Sequence, residues 1–182
     1  MRPVKLTVGA SPIGFAQTWA YPAGSQHEFF KIPTYELTAS GIDAAGKKAS
    51  RTFEVLRFGV QGKAGAPPRV VGLSEFQVHT IKAWLPDYRV HSARSQEQGA
   101  WQVYGNFLIH DGPDDPSIQV YATIGCIEIC RGPRGFDQFN DFLIALSGPS
   151  AKDRAGELAE IGWARNITIT YLTAPRPPLQ RA

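Results

Sequence analysis

The chain has 182 residues, of which 43% are hydrophobic and 19% charged, with a formal net charge of +3. This length allows one domain with a substantial core, and the composition is that of a soluble globular protein. The 19 basic and 16 acidic residues form no block of like charge, which argues against a nucleic-acid or membrane-surface partner. Frequent glycine and proline favour a β-rich fold with many turns.

Neither end of the chain nor its interior has the pattern of a membrane segment. The first 19 residues lack the charged start and unbroken apolar core of a secretory signal, and no apolar run is long enough for a membrane helix. We therefore expect synthesis in the cytoplasm, without a signal peptide and without membrane insertion.

The first half of the chain predicts short strands separated by turns. A strand is expected over residues 5–8, irregular structure over 12–30, and a second strand over 31–38. Residues 51–60 alternate between apolar and polar and predict a third strand, whereas the Gly/Pro-rich stretch 61–69 predicts a loop.

The second half predicts a short β segment, two helices and a final strand. Apolar residues recur at three- and four-residue intervals over 136–146, which predicts an amphipathic helix ending at Gly148. Ser150 and Asp153 have the spacing of a capping box, which predicts a second helix through residue 160. A strand is expected over 166–173 and a loose tail over 175–182. The whole chain, 1–182, is thus predicted to be one domain.

The most informative stretch runs from residue 101 to residue 130. An alternating apolar run ends on His110, a loop rich in Gly, Pro and Asp follows, and a second run ends on the turn that contains Cys126. A cysteine is a useful nucleophile as its thiolate, and histidine is the side chain best matched to take its proton near neutral pH. The two residues are therefore candidates for a catalytic pair.

Two alternatives remain open for this pair. If residues 111–125 formed an extended hairpin, Cys126 would be carried about 20 Å away from His110, whereas a compact loop would bring them together. As a nucleophile, Cys126 is expected in a partly exposed turn. Alternatively, Cys126 is a small buried hydrophobic residue among isoleucines. The spacing alone does not choose between a nucleophile and a structural thiol.

The residues Phe107 to His110, the loop, and Thr123-Ile124-Gly125-Cys126-Ile127 resemble the signature of the L,D-transpeptidase (YkuD-like) cysteine enzymes. The resemblance covers about 30 residues, and it is greatest to a Ser-x-Gly-Cys-Ile branch that includes type VI secretion effectors acting as L,D-transpeptidases or carboxypeptidases. It implies a β-rich α+β fold, a single YkuD-like β-sandwich or barrel with one or two helices after the cysteine.

The resemblance also implies roles for individual residues. Cys126 is expected to be the nucleophile, His110 the base, and the backbone oxygen of Asp111 the partner of the histidine ring, with no metal and no organic cofactor. The expected substrate is a peptidoglycan stem peptide. Backbone N–H groups of the turn at Ile124 and Gly125 are the expected oxyanion donors. By analogy with the cleft of that family, His91, Ser92 and Arg94 are candidate substrate contacts, although for any one of these residues a solvated turn is favoured over a contact.

Two positions depart from the common family motif. Ile124 stands where a second histidine is usual, so His110 is the one candidate base, and Glu128 stands where an arginine is usual. If Glu128 faces the cleft, its carboxylate favours an ammonium group on the substrate. The alternative is that Glu128 points to solvent or pairs with Arg131 or Arg134.

A cell-wall substrate requires delivery of the protein to the periplasm, so a secretion-system component and an immunity protein are possible partners. Rival functions are another cysteine hydrolase, disfavoured because papain-like enzymes place the cysteine before the histidine, and a non-catalytic binding module with a degenerate pair. Cys130 is expected to be a buried structural thiol. A disulfide with Cys126 is not expected, since positions four apart on a strand are about 13 Å apart.

Overall fold

A computed structural model describes residues 1–24, 27–90 and 97–182. Two α-helices lie in these ranges, α1 (Gly135–Ser147) and α2 (Arg154–Ala164). The strands of the same ranges, in chain order, are β1 (Val4–Val8), β2 (Gly14–Trp19), β3 (Tyr21–Pro22), β4 (Phe29–Ile42), β5 (Lys48–Leu56), β6 (Gly59–Lys63), β7 (Ala66–Val71), β8 (Gln77–Thr80), β9 (Ala83–Leu85), β10 (Ala100–Tyr104), β11 (Phe107–Asp111), β12 (Val120–Ala122), β13 (Ile127–Ile129), β14 (Ile167–Tyr171) and β15 (Gln180–Arg181).

One large sheet curls until its two ends approach each other. Its main path runs β8-β14-β1-β4-β5-β13-β11-β10-β9, and β2, β12 and β15 pair beside it, while β3, β6 and β7 form a small second sheet. The ends of the path, β8 and β9, are consecutive in the chain, and β8 also contacts β10. The predicted β-rich α+β class, with two helices after Cys126, is therefore confirmed at that level.

The inner face of the curled sheet and helix α1 enclose the main core. Residues from β1, β4, β5, β11, β13 and β14 pack there against the apolar face of α1. Trp101 is fully buried in this core, and its indole N–H donates to the Asn140 side chain of α1 at 2.9 Å. This hydrogen bond satisfies both buried polar groups, so α1 is held against β10.

Several predicted elements agree with the structure. The strands near residues 5–8 and 166–173 are β1 and β14, which pair in parallel. The first helix ends as predicted, since Gly148 is left-handed (φ 65°) and its N–H donates to the backbone oxygen of Ile144. The second helix begins later than the capping-box prediction. Asp153, not Ser150, is the N-cap and accepts from Gly156 N–H, while Ser150 bonds to Glu160.

Other predictions about the first half are wrong. The stretch 12–30 contains β2, which pairs with β4 and turns only small side chains, Ala16 and Thr18, to the interior. The predicted loop 61–69 is a hairpin of β6 and β7, and β7 tolerates its two prolines because it is the edge of the small sheet. At the other end of the chain, where the sequence predicts a loose tail, β15 pairs with β4.

The predicted strand over residues 51–60 is divided in two by a buried arginine. Arg57 is fully buried between β5 and β6, and its guanidinium donates to the backbone oxygens of Gly9, Leu73 and Leu172. Burial lowers the pKa of Arg57. The arginine therefore connects three loops to one point and holds the chain around Leu73 in place.

The helices of the described ranges are not membrane spans. Neither combines the length and apolar content that crossing a bilayer needs.

Candidate functional site

A cleft of about 330 Å³ opens beside the strands that carry His110 and Cys126. Its wall is built from β10, β11 and β13, the turn between β10 and β11, and the segment after β9. The side chains that line it are Leu85, Tyr88, Gln102, Asn106, Leu108, His110, Ile124, Cys126 and Glu128, with Gly105. The sequence motif therefore lies in a concave site, where a ligand of peptide size could be bound.

The ring of His110 has a defined orientation and tautomer. Its Nδ1–H donates to the backbone oxygen of Asp111 at 2.7 Å, and the side chain is buried. A carbonyl oxygen only accepts hydrogen bonds, so Nδ1 holds the proton in the neutral ring and Nε2 carries the lone pair. Nε2 is therefore the basic nitrogen of the site.

The chain between His110 and Cys126 returns compactly. Strand β13 runs parallel to β11, with His110 paired to Glu128, which excludes the extended hairpin. Cys126 directly precedes β13. Neighbouring strands lie about 4.8 Å apart and two residues rise about 6.6 Å, which places the Cα atoms of His110 and Cys126 roughly 8 Å apart. Both side chains line the same cleft.

Cys126 is buried, with 7% of its surface exposed, so its predicted placement in a partly exposed turn is wrong. Its sulfur donates to the backbone oxygen of Asn106 at 3.8 Å and packs with Ala100 and Leu108. Burial raises the pKa of the Cys126 thiol to about 12, and the charge of Glu128 adds to the rise, while a backbone hydrogen bond with Leu108 opposes it. Burial therefore favours the neutral thiol as the resting form.

The turn before Cys126 depends on close backbone packing. Gly125 has φ +95°, and a Cβ atom there would lie 2.7 Å from Gly72 Cα. The backbone oxygen of Thr123 accepts from Val60 N–H at 3.0 Å, which attaches the turn to β6. Ile124 is partly exposed at the rim of the cleft. The contact of Gly125 with Gly72 and the hydrogen bond to β6 thus fix the position of the turn that precedes Cys126.

Glu128 lies inside the cleft wall and not at the surface. Its side chain is fully buried, and its Oε1 lies 3.9 Å from Nε2 of His110. The alternative that Glu128 faces solvent or pairs with Arg131 or Arg134 is wrong, because those arginines pair with Glu54 and Asp137 respectively. Burial raises the pKa of Glu128 well above its usual range, Thr123 opposes this rise, and the charge of Asp111 adds to it.

Two further residues of the site were missed by sequence reasoning. The ring of Tyr88 lies 5.4 Å from the His110 ring and closes the cleft on one side. Burial raises the pKa of Tyr88 to about 12, and the charges of Cys126 and Glu128 contribute. Glu97 hydrogen-bonds the Asp111 side chain behind the histidine. No local motif marks either residue, since both reach the site through contacts distant in sequence.

Glu97 also caps helix α1. Its carboxyl oxygens accept from the backbone N–H groups of Phe136 (3.1 Å) and Asp137 (2.6 Å). Burial raises the pKa of Glu97 to about 8, and its hydrogen bond with Asp111 raises it further, since two carboxyl groups bond only when one is protonated. The sequence had assigned Asp111 a backbone role, whereas its side chain also belongs to this carboxyl pair.

The hydrogen bond between Glu97 and Asp111 predicts that the free energy of unfolding falls as the pH rises. The folded pKa of Glu97 lies above the unfolded value of 4.5, so its contribution is complete below that value and is lost as the pH rises through about 8. Glu97→Gln keeps a donor for Asp111 and removes the ionisation. We expect the variant to be more stable than the native protein at pH 9 by about 1 kcal/mol, after discounting for partial exposure.

Urea unfolding at pH 5, 7 and 9 measures this effect. Glu157→Gln, on the first turn of α2, is the matched control and is expected to keep the native pH dependence. If the free energy of unfolding changed with pH equally in the native protein and in Glu97→Gln, the assignment of a proton between Glu97 and Asp111 would be contradicted.

The remaining predicted contacts cannot be placed, because His91, Ser92 and Arg94 lie outside the described residues. Within the described ranges, no cluster of three or more His, Cys, Asp or Glu side chains is arranged to hold a metal ion. Cys130 is buried in a second, smaller core, where it packs with residues of β2, β4, β5 and β6 such as Ala16, Phe30 and Val60, and it is not bonded to Cys126. Fold and site together define a β-rich α+β protein with a cysteine, a histidine and one buried acid, Glu128, lining the same cleft.

Comparison with known protein families, curated proteins and solved structures finds no match for this chain. A functional conclusion therefore depends on the chemistry of the cleft and on the sequence motif around His110 and Cys126.

Proposed function

We propose that the protein is a cysteine-dependent acyl transferase or hydrolase of the L,D-transpeptidase type, acting on peptidoglycan stem peptides. The observation that carries this proposal is the orientation of His110, whose Nδ1–H is bound to Asp111 so that the basic Nε2 serves the cleft that Cys126 lines. The sequence resemblance supplies the substrate class, and a YkuD-like arrangement of the curled sheet is part of the same proposal.

The covalent step follows from these groups. The S–H bond of Cys126 breaks, its proton passes to Nε2 of His110, and the sulfur forms a bond to the carbonyl carbon of the third stem residue. The carbonyl electron pair moves to the oxygen. When the tetrahedral species collapses, the C–N bond breaks and the leaving amine of D-Ala takes the proton from His110. The resulting thioester is then attacked by water, a D-amino acid or a second stem.

Proton transfer accompanies attack in this scheme. Burial raises the pKa of the Cys126 thiol, so the neutral thiol, and not a preformed thiolate–imidazolium pair, is the form proposed to react. The backbone N–H groups of the turn at Ile124 and Gly125 are proposed to stabilise the developing oxyanion. The missing Cβ atom of Gly125 serves the close packing of this turn on Gly72.

The other expected contacts extend this proposal. His91, Ser92 and Arg94 are proposed to contact the stem peptide, and Glu128 to favour amine-bearing stems. The substrate implies action in the periplasm after delivery, with a secretion-system component and an immunity protein as partners.

A second candidate is a binding module on the same fold. The observation that favours it is the buried, neutral state of the Cys126 thiol, which is also the normal state of a structural cysteine. The two candidates differ in one product, the thioester.

Intact-protein mass spectrometry distinguishes the two. The protein is incubated with a stem tetrapeptide ending in D-Ala, quenched in acid, and weighed. The enzyme is expected to gain the mass of the peptide less D-Ala, and hydroxylamine is expected to remove that mass because thioesters react with it. A protein that binds the tetrapeptide without releasing D-Ala or gaining mass would be the binding module instead.

A further inference from the structure

The carboxyl group of Glu128 is buried with little hydrogen bonding. It is fully buried, and neither of its oxygens has a hydrogen bond of ordinary geometry within the part of the chain that the structure describes. The hydroxyl of Thr123 is the polar group that favours the charged form, and a buried carboxylate with so little hydrogen bonding either binds a proton or lies beside a positive charge. Glu128 also lines the cleft, so its protonation state is a property of the candidate site.

His110 is the group placed to share that proton. The two residues are paired in register on the parallel strands β11 and β13, so their side chains lie on the same side of the sheet. Oε1 of Glu128 lies 3.9 Å from Nε2, the nitrogen whose lone pair is left by the hydrogen bond of Nδ1–H to Asp111.

The neighbours of the pair favour its holding one proton. The charge of Asp111 disfavours ionisation of Glu128, and Thr123 supplies the opposing hydroxyl. Loss of the proton would leave a negative charge in a buried site, while gain of a second would leave an uncompensated imidazolium. The titratable and polar side chains that face the pair are Asp111 on β11, Thr123 and Cys126 in the turn, Cys130 after β13 and Tyr88 after β9, with Glu97 behind Asp111.

We propose that Glu128 is a positioning residue that acts through His110, the two holding one proton jointly, and that His110 accepts the Cys126 proton only after the pair has lost it. The catalytic consequence of this inference rests on the proposed function, whereas the shared proton can be measured without any activity. No bond to Glu128 forms or breaks in the acyl transfer itself, and the shared proton leaves to solvent before the substrate reacts.

The pair determines the pH at which the site becomes active. With Glu128 present, the base form of His110 appears only as the pH rises through the joint pKa. With glutamine there, His110 loses the carboxylate that lies 3.9 Å from its Nε2, so its proton is lost at lower pH. Glu128→Gln is therefore expected to move the acid limb of the kcat/KM profile to lower pH by about one unit.

NMR of the native protein tests the shared proton without any substrate. With ¹³C-labelled Glu and His, a shared proton gives one titration step with the same midpoint at the Glu128 carboxyl carbon and the His110 ring. In Glu128→Gln the midpoint of the His110 ring is expected to fall by about one unit. Glu54→Gln, on the neighbouring strand β5 and bonded to Arg131, is the control and is expected to leave the His110 midpoint unchanged.

The outcomes separate this inference from the proposed function. Separate midpoints, with Glu128 titrating in the ordinary carboxyl range and His110 indifferent to Glu128→Gln, would overturn the shared proton even if the enzyme were active. A joint midpoint in a protein that never forms the thioester would retain the pair and reject the function. The native titration needs no variant, so it decides the question even if Glu128→Gln fails to fold.

Discussion

Cys126→Ala is expected to abolish the release of D-Ala from stem peptides, with a loss in kcat of at least about 10³-fold. The alanine side chain cannot form the thioester, so the mass gain of the intact protein is also expected to vanish. The fold is expected to survive, at a cost of about 1–2 kcal/mol for a small, mostly buried side chain. The assay is D-Ala release, and urea unfolding measures the stability.

Cys130→Ala is the matched control for this variant. Cys130 is also buried, and its sulfur donates to the backbone oxygen of Glu128 at 3.5 Å, but it belongs to the second core and not to the cleft. We expect a similar loss of stability and full activity. If Cys126→Ala released D-Ala at the native rate, covalent catalysis by this cysteine would be refuted.

Gly125→Ala is expected to displace the turn that precedes Cys126 and to destabilise the protein. Its φ of +95° disfavours any side chain, and the new Cβ atom would lie 2.7 Å from Gly72 Cα, a backbone atom that cannot rotate away. The two effects together are expected to destabilise the protein by about 3 kcal/mol. A displaced turn also misplaces the sulfur and the oxyanion donors, so we expect kcat to fall by about 10²-fold or more.

Gly132→Ala separates the two causes. Gly132 has a similar φ of +88°, but an added Cβ atom there would meet nothing within 4 Å. Its cost is therefore expected to be about 1 kcal/mol, from backbone conformation alone, with activity unchanged. Urea unfolding and D-Ala release measure both variants. Equal losses of stability in the two would show that contact with Gly72 does not constrain the turn.

The features that could be predicted from the sequence are those with a local physical cause. Helix α1 was found because apolar residues recur at the helical period and Gly148 adopts the left-handed conformation that ends it. His110 and Cys126 stand out because each ends an apolar segment beside turn-forming residues. The burial of Glu128 was open from sequence, since alternation along one short strand does not tell which face the neighbouring strands cover.

What the sequence by itself determined is the β-rich class, the helices after Cys126, and the two residues that mark the cleft. Only the tertiary structure decided which charges surround them. The register of β11 with β13 places Glu128 beside His110, and the curled sheet brings Tyr88 and Glu97 to the same site. Strand register and sheet closure depend on hydrogen bonds between segments far apart in the chain. Burial then raises the pKa of Cys126, Glu97 and Glu128, and burial depends on the packing of the whole fold.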